Sequence, residues 1–514
     1  MSRRLACLAA LCALAAGCFK VGPDYREPLV PALSRWNAPL ERGLEPGARD
    51  LAHWWRLLGD PMLDSLIERA IARNTDIARA TAAALEARAR RTGSIASLFP
   101  AADVDAGYRR QKRTGSFGSF SNADDGSGST GGGSTGATNA WSAGFDASWE
   151  IDLFGGVRRG IEESQATLEA ARADLRDVLV TVLAEVARNY VELRSLQERI
   201  AIAHANAESQ GETLQLTRWR FEAGLVGDLD VQQATYQLSQ TRAGIPTLES
   251  ELAQIGHRLA VLLGAPAGSL DAELAPRGPV PEPPARVAVG VPADLLRRRP
   301  DVAAAERRLA SATAAIGVAT ADLYPKLSLT GSLELSATSL SGLDDDSARG
   351  YGIGPSLRWN LFDAGRIRAE IAARSAQADQ ALADYEAAVL AAYEEAENAL
   401  VAFAREQVRR DRLAHAVGAA RDAERLARFQ YENGVIDFQS VLEAQRARLG
   451  LEESLAISHA AVTTNLVALY KALGGGWERV QPPPVTSPVV QEDAPRARDA
   501  PSSPGAGEVS TRTE

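Results

Sequence analysis

The stretch Arg366 to Val417, RIRAEIAARSAQADQALADYEAAVLAAYEEAENALVAFAREQVRRDRLAHAV, runs for fifty-two residues without a glycine or proline. Its apolar positions, Leu382, Tyr385, Val389, Ala392, Ala396, Ala399 and Phe403, step by threes and fours. That seven-residue cycle marks a coiled-coil seam. At 1.5 Å per residue the helix is ~78 Å long. Ile161 to Gln210 repeats the pattern with a seam of Leu175, Leu179, Val182, Val186, Asn189, Leu193 and Leu196. A shift of 210 residues lays one rod on the other, so the chain is a tandem duplication. Long helices built twice suit a conduit or spacer better than an enzyme.

Strands of period two feed the rods. From Trp141 to Leu153 every odd position is apolar and every even one is polar or glycine. Tyr351, Ile353, Pro355, Leu357, Trp359 and Leu361 alternate with small or polar residues. Leu327, Leu329, Leu333 and Leu335 do likewise, and Val104 to Tyr108 opens a weaker fourth strand. A run such as Trp141–Leu153 reaches ~43 Å at 3.3 Å per residue, enough to cross a bilayer at a tilt. Apolar outside and polar inside is the pattern of a membrane β-barrel with a wet lumen. Four strands cannot close one, because the smallest bacterial barrels have about eight and an open edge in lipid leaves backbone groups unpaired. Other copies of the chain must complete it. The glycine- and serine-rich run Gly115 to Gly136 reads as a long outward loop.

The N-terminus carries a basic start (Arg3, Arg4), an apolar core from Leu5 to Ala16 and small residues before Cys18. This is a secretory signal peptide. Leu14-Ala15-Ala16-Gly17-Cys18 looks like a bacterial lipobox with its leucine one place early, so Cys18 is the expected site of a covalent lipid. Phe19 follows where an aspartate would retain a lipoprotein at the inner membrane, which points to the outer membrane. With Cys7 and Cys12 removed, Cys18 stands alone and no internal disulfide can form. The formal charge is −10, and loss of the two signal arginines makes it more negative. Phosphate binding needs clustered positive charge, so no nucleic-acid partner is expected.

The chain divides into a signal peptide (1–17), a lipidated arm (18–60), a first repeat (61–264), a proline-rich crossover (265–291), a second repeat (292–477) and a tail expected to be disordered (478–514). Helices are expected at Pro61–Arg73 and Thr75–Ala96. Leu98-Phe99-Pro100 answers Leu323-Tyr324-Pro325 at a shift of 225. Each rod ends in a turn, Gly224-Leu225-Val226-Gly227 in the first repeat and Gly434-Val435-Ile436 in the second, where a helix must stop and reverse. Pro246 has Ala456 as its counterpart and is expected to interrupt and bend the first return helix.

In this order the motifs Val21-Gly-Pro-Asp-Tyr25, Trp54-Trp55, Val291-Pro-Ala-Asp-Leu-Leu-Arg-Arg-Arg-Pro-Asp301, Ala321-Asp-Leu-Tyr-Pro325 and Leu469-Tyr-Lys-Ala-Leu-Gly-Gly-Gly-Trp477 resemble the TolC-like outer-membrane factors. The resemblance is to the lipoprotein branch serving efflux pumps of the resistance-nodulation-division (RND) type, and covers roughly Cys18 to Trp477. It implies a mainly helical α+β fold and a homotrimer. Four strands per chain would form a twelve-stranded outer-membrane barrel, continued by a periplasmic helical tunnel. It further implies a passive channel for small molecules, working with a periplasmic adaptor and an RND-type inner-membrane pump. The two turns become candidate adaptor contacts. Glu443, nine residues past Gly434, stands where the family has a lumen-facing carboxylate at the constriction, and Ser440 where some members carry a second acid. The equivalent of Glu443 in the first repeat is the neutral Gln233.

No cofactor or metal is expected. His53, His204, His257, His415 and His459 are scattered, and no pair has metal-ligand spacing with another His or a Cys. No nucleophile elbow, phosphate loop or dinucleotide fingerprint is present. Two other readings stay open from the sequence: the outer-membrane channel of a type I protein secretion system, and a lipoprotein coiled-coil spacer without a pore.

Overall fold

The computed structural model describes residues 20–29, 33–47, 51–112 and 137–478. Cys18, the loop 115–136 and the tail beyond Glu478 lie outside the described residues. The main elements are α1 (Pro61–Arg73), α2 (Thr75–Ala96), β1 (Ala101–Lys112), β2 (Ala137–Ile151), α3 (Gly156–Glu222) and α4 (Asp228–Leu262). The second repeat supplies α5 (Pro300–Ala321), β3 (Lys326–Ala337), β4 (Arg349–Arg358), α6 (Arg366–Glu432) and α7 (Phe438–Ala472). Each long helix, α3 and α6, has 67 residues, about 100 Å of rod. Among the described residues no helix is long and apolar enough to cross a membrane.

Local chemistry places the helix ends. Asp60 accepts from the backbone N–H of Met62 and Leu63, with Pro61 at the first helical position. Asn74 caps α2 through the N–H groups of Asp76 and Ile77, and its own amide donates to the Leu262 carbonyl at the end of α4 (2.8 Å). In the second repeat Arg299 takes this place and donates to the Ala472 carbonyl at the end of α7 (3.2 Å). The same joint is therefore built twice with different side chains. Burial of the Arg299 charge is offset by bonds to Asp301 and Glu395.

The predicted seams form the core. Leu179, Val182, Val186, Asn189, Leu193 and Leu196 of α3 are buried, as are Tyr385, Val389, Ala392, Ala396, Ala399 and Phe403 of α6. Most of them join Trp54, Trp55, Leu466 and Tyr470 in one large cluster around the middle of the body. A second, smaller cluster at the far end holds Leu214, Leu238, Tyr431, Phe438, Val441 and Leu442.

The four strands form one antiparallel sheet in the order β1-β2-β3-β4, the two repeats joined by the β2–β3 pairing. Strands β2 and β4 stop at Ile151 and Arg358, short of the alternation's last members Leu153, Trp359 and Leu361. There the chain is committed to the next helix: Asp363 accepts from the N–H of Gly365 (3.0 Å) and Ile367 (2.8 Å).

One further expectation is corrected. Helix α4 runs unbroken through Pro246, although that residue lacks the N–H for a bond to Arg242. The crossover carries structure of its own, including a short parallel pairing of Val287–Ala288 with Leu44–Glu45 of the arm.

Candidate functional site

The sheet sorts its side chains as the alternation requires. One row crosses all four strands as Val104, Phe145, Leu333 and Tyr351; the neighbouring row, on the other face, reads Asp105, Gly144, Glu334 and Gly350. The apolar row stays exposed on a single chain. Asp103, Asp146 and Ser332 add to the polar face. Strands β1 and β4 are its two edges. Aromatic residues mark the ends. Tyr108 packs against Trp141 at 4.5 Å between ring centroids. At the helical end Trp149 donates to the Leu98 carbonyl (2.9 Å) and Trp359 to the Leu323 carbonyl (3.0 Å), the same bond in both repeats. An apolar band edged by aromatics is what a bilayer selects.

The arm is fixed to this junction. Val21 N–H donates to the Phe154 carbonyl (3.1 Å), where β2 turns into α3. Arg159 of α3, only 2% exposed, donates to the carbonyls of Val21 (3.0 Å) and Gly22 (3.1 Å) and to the carboxylates of Asp24 (2.8 Å) and Glu162 (2.7 Å). Gly22 has φ +84°, and a Cβ there would lie 2.5 Å from Gly317 Cα on α5. Tyr25 continues the seat by donating to Glu306, and Lys20 pairs with Glu162. Bonding to Arg159 holds the Asp24 carboxyl below its ordinary range. The sequence exposed the Val21–Tyr25 motif but not its receptor. A lone arginine on an amphipathic helix carries no signal of that role.

At the far end both turns close in the same way. Gly224 and Gly434 adopt φ +71° and +74°. Leu225 N–H returns to the Arg220 carbonyl (2.8 Å) and Val435 N–H to the Gln430 carbonyl (2.8 Å), the six-to-one bond of a Schellman cap. The candidate contact residues then divide. Val226 and Ile436 pack into the terminal cluster, whereas Leu225 and Val435 are 67% and 70% exposed. Gly227 precedes α4 without a side-chain cap, but Asp437 caps α7. The Ser440 hydroxyl donates to Asp437 (2.7 Å), as does the Ser440 N–H, and these bonds hold the Asp437 carboxyl low. Ser440 is thus engaged in the cap. Glu443 is exposed on α7, beside Gln439 (3.3 Å) and away from the buried Val441, Leu442 and Gln445. Sequence reasoning missed Arg220, which crosses between the repeats to the Tyr431 carbonyl (2.7 Å) and lies over that ring at 4.4 Å.

A sheet with one lipid-suited face, joined to long helical hairpins, defines the class: a membrane-embedded strand platform with a helical extension. The chain belongs to the outer membrane efflux protein family, whose model matches residues 66–265 and 291–475. It is 33% identical over 472 residues to nodulation protein T of Rhizobium leguminosarum bv. trifolii, covering 91% of this chain and 96% of that one. It is 31% identical to the pyoverdine export outer membrane protein OpmQ of Pseudomonas aeruginosa, covering 88% and 95%. The solved outer-membrane channel OprN superposes with a TM-score of 0.80 at 37% identity, covering 89% of this chain and 99% of that one. Outer-membrane location and efflux-channel function follow from that membership.

Proposed function

We propose that three copies assemble into a twelve-stranded outer-membrane barrel continued by a periplasmic tunnel of helices. It is the exit duct of a tripartite efflux system for small molecules. A periplasmic adaptor and an RND-type inner-membrane pump complete the path, and the channel itself performs no chemistry. The observation that carries this reading is the four-stranded sheet with one continuous apolar face and, among the described residues, two unpaired edges. Such edges are intolerable in lipid, so neighbouring copies supply the missing pairings. The exposed Leu225 and Val435 at the helix turns are the adaptor-facing residues of this reading. Glu443 lines the constriction, with Ser440 bracing the helix start beside it.

The lipid on Cys18 belongs to the same proposal. Val21 is bonded at the sheet–helix junction. The three residue steps from Val21 back to Cys18 extend by at most ~11 Å, so acyl chains on Cys18 would enter the bilayer beside the barrel. Mass spectrometry of the mature N-terminus tests this, and an unmodified Cys18 overturns it. For the channel, native mass spectrometry should give a trimer in mild detergent, and planar bilayers should register ion conductance. A stable monomer, or a trimer that conducts nothing, overturns the reading.

A further inference from the structure

The apolar face of the sheet is almost free of charge, and its exceptions share one sign and one end. Strand pairing puts the even positions of β1 and the odd positions of β2, β3 and β4 on that face. Over the described strands the charged residues at these positions are Arg110, Lys112 and Arg349, with no Asp or Glu among them. The opposite face mixes signs, with Asp105, Asp146 and Glu334 beside Arg109, Lys326 and Arg358. The three cations are all exposed, and all lie at the strand ends away from the helices. Arg110 and Lys112 finish β1, and Arg349 begins β4.

The aromatics set their level. On β2 this face runs from Trp149 at the helical end to Trp141, about 27 Å of strand at 3.4 Å per residue. A tilt of about 40° leaves about 21 Å of height, close to the apolar band of a bacterial barrel. Tyr108 packs on Trp141 and closes that band, and its hydroxyl donates to Asn139 on the same face (3.1 Å). Arg110 pairs with Asn139 one step further out, and Lys112 lies a step beyond. That is headgroup depth. No acid on their face of the sheet neutralises Arg110 or Lys112. Arg349 meets Asp346 (3.0 Å) in the β3–β4 connection, an exposed pair that contributes little. Asp344 and Asp345 stand in the same connection, so the positive field is stronger at β1.

We propose that Arg110, Lys112 and Arg349 bind the phosphate groups of anionic lipid in the outer leaflet. Cations just outside an apolar band meet lipid headgroups, and phosphate offers them charge-assisted hydrogen bonds. Arg110 and Lys112 lie on one edge strand of the sheet and Arg349 on the other. In a ring of copies that pairs β4 with the next β1, all three meet at one seam. A lipid with two phosphates then spans two protomers. The leaflet and the seam rest on the channel reading; the recognition of lipid phosphate does not.

Native mass spectrometry of the full-length protein in mild detergent, with lipid A added as the phosphorylated probe, tests this. The wild type should retain lipid A, up to one molecule per seam. The triple variant R110Q/K112Q/R349Q should weaken retention on the order of a hundredfold, at about fivefold per charge. Its assembly should stay intact, since all three side chains are exposed. Arg109→Gln removes a charge from the opposite face of β1 and should leave retention unchanged. Undiminished retention by the triple variant, a comparable loss with Arg109→Gln, or equal retention of lipid A stripped of its phosphates overturns the proposal. Displacement of the lipid by millimolar inorganic phosphate overturns the lipid as the occupant. The same spectra give the mass of the assembly. A monomer sinks the trimer reading and the shared seam; loss of lipid from a monomeric R110Q/K112Q variant then upholds the β1 cations, and no loss overturns them too.

Discussion

Arg159 shows how one side chain can set the position of a whole segment. Its guanidinium is nearly excluded from water and meets two backbone carbonyls and two carboxylates, so its donors are spent on the arm and on its own helix. Arg159→Met keeps much of the volume and leaves those acceptors without their donor, at a cost of about 3 kcal/mol. The arm should then be cut rapidly by trypsin after Arg26, while the wild-type arm resists. Equal cleavage of both proteins would refute the clamp. Gly22→Ala should act in the same way, because its Cβ would meet the Gly317 backbone. Acid gives a third test with a defined sign. Asp24 is held below the ordinary value of 3.8 in the folded protein, so its contribution is present above that value and is lost as pH falls through the folded one. Arm protection should therefore be constant near neutrality and decline only below about pH 4.

Elements repeat more faithfully than residues, and this decides how their glycines respond to change. Gly434 sits at φ +74° with nothing near an added Cβ, whereas Gly264, at φ +64°, would place a Cβ 2.3 Å from the Arg73 carbonyl. Gly434→Ala should cost only the left-handed backbone strain, about 1 kcal/mol. Gly264→Ala adds a collision with backbone and should cost several times more. Thermal unfolding of the two variants against wild type measures the difference; equal losses would contradict it. The same contrast explains what could be read from the chain alone. The rods, their seams, α1 and α2, and the strand alternation were legible because each is a local period. The turns were legible through Gly224 and Gly434. Arg159 and Arg220 were not, because each acts on a residue more than a hundred positions away. Pro246 misled for a physical reason: a proline forfeits one helical bond, and that loss does not end a helix of 35 residues.

For the whole molecule, charge at the narrow end of the proposed trimer would be a property of three chains and of none singly. Glu443 is exposed on one chain, on the face of α7 opposite its buried side, and its counterpart Gln233 is neutral. A trimer closed around the lumen would bring three Glu443 carboxylates together, with no matching acid from the first repeat at this level. Ser440 is held in the Asp437 cap, so it adds a dipole and no charge. Three fixed negative charges in a poorly solvated neck attract cations and repel anions. Glu443→Gln would remove the proposed ring while preserving shape and an acceptor for Gln439. Trimers should form as before. In planar bilayers under a salt gradient, the reversal potential should shift toward zero relative to the wild type. The shift should be larger at low ionic strength, because salt screens the ring over a Debye length of about 10 Å at 0.1 M. An unchanged reversal potential in an intact, conducting trimer would place the selective constriction elsewhere along the duct. The acidic face of the strands, with Asp103, Asp105, Asp146 and Glu334, would be the next place to substitute.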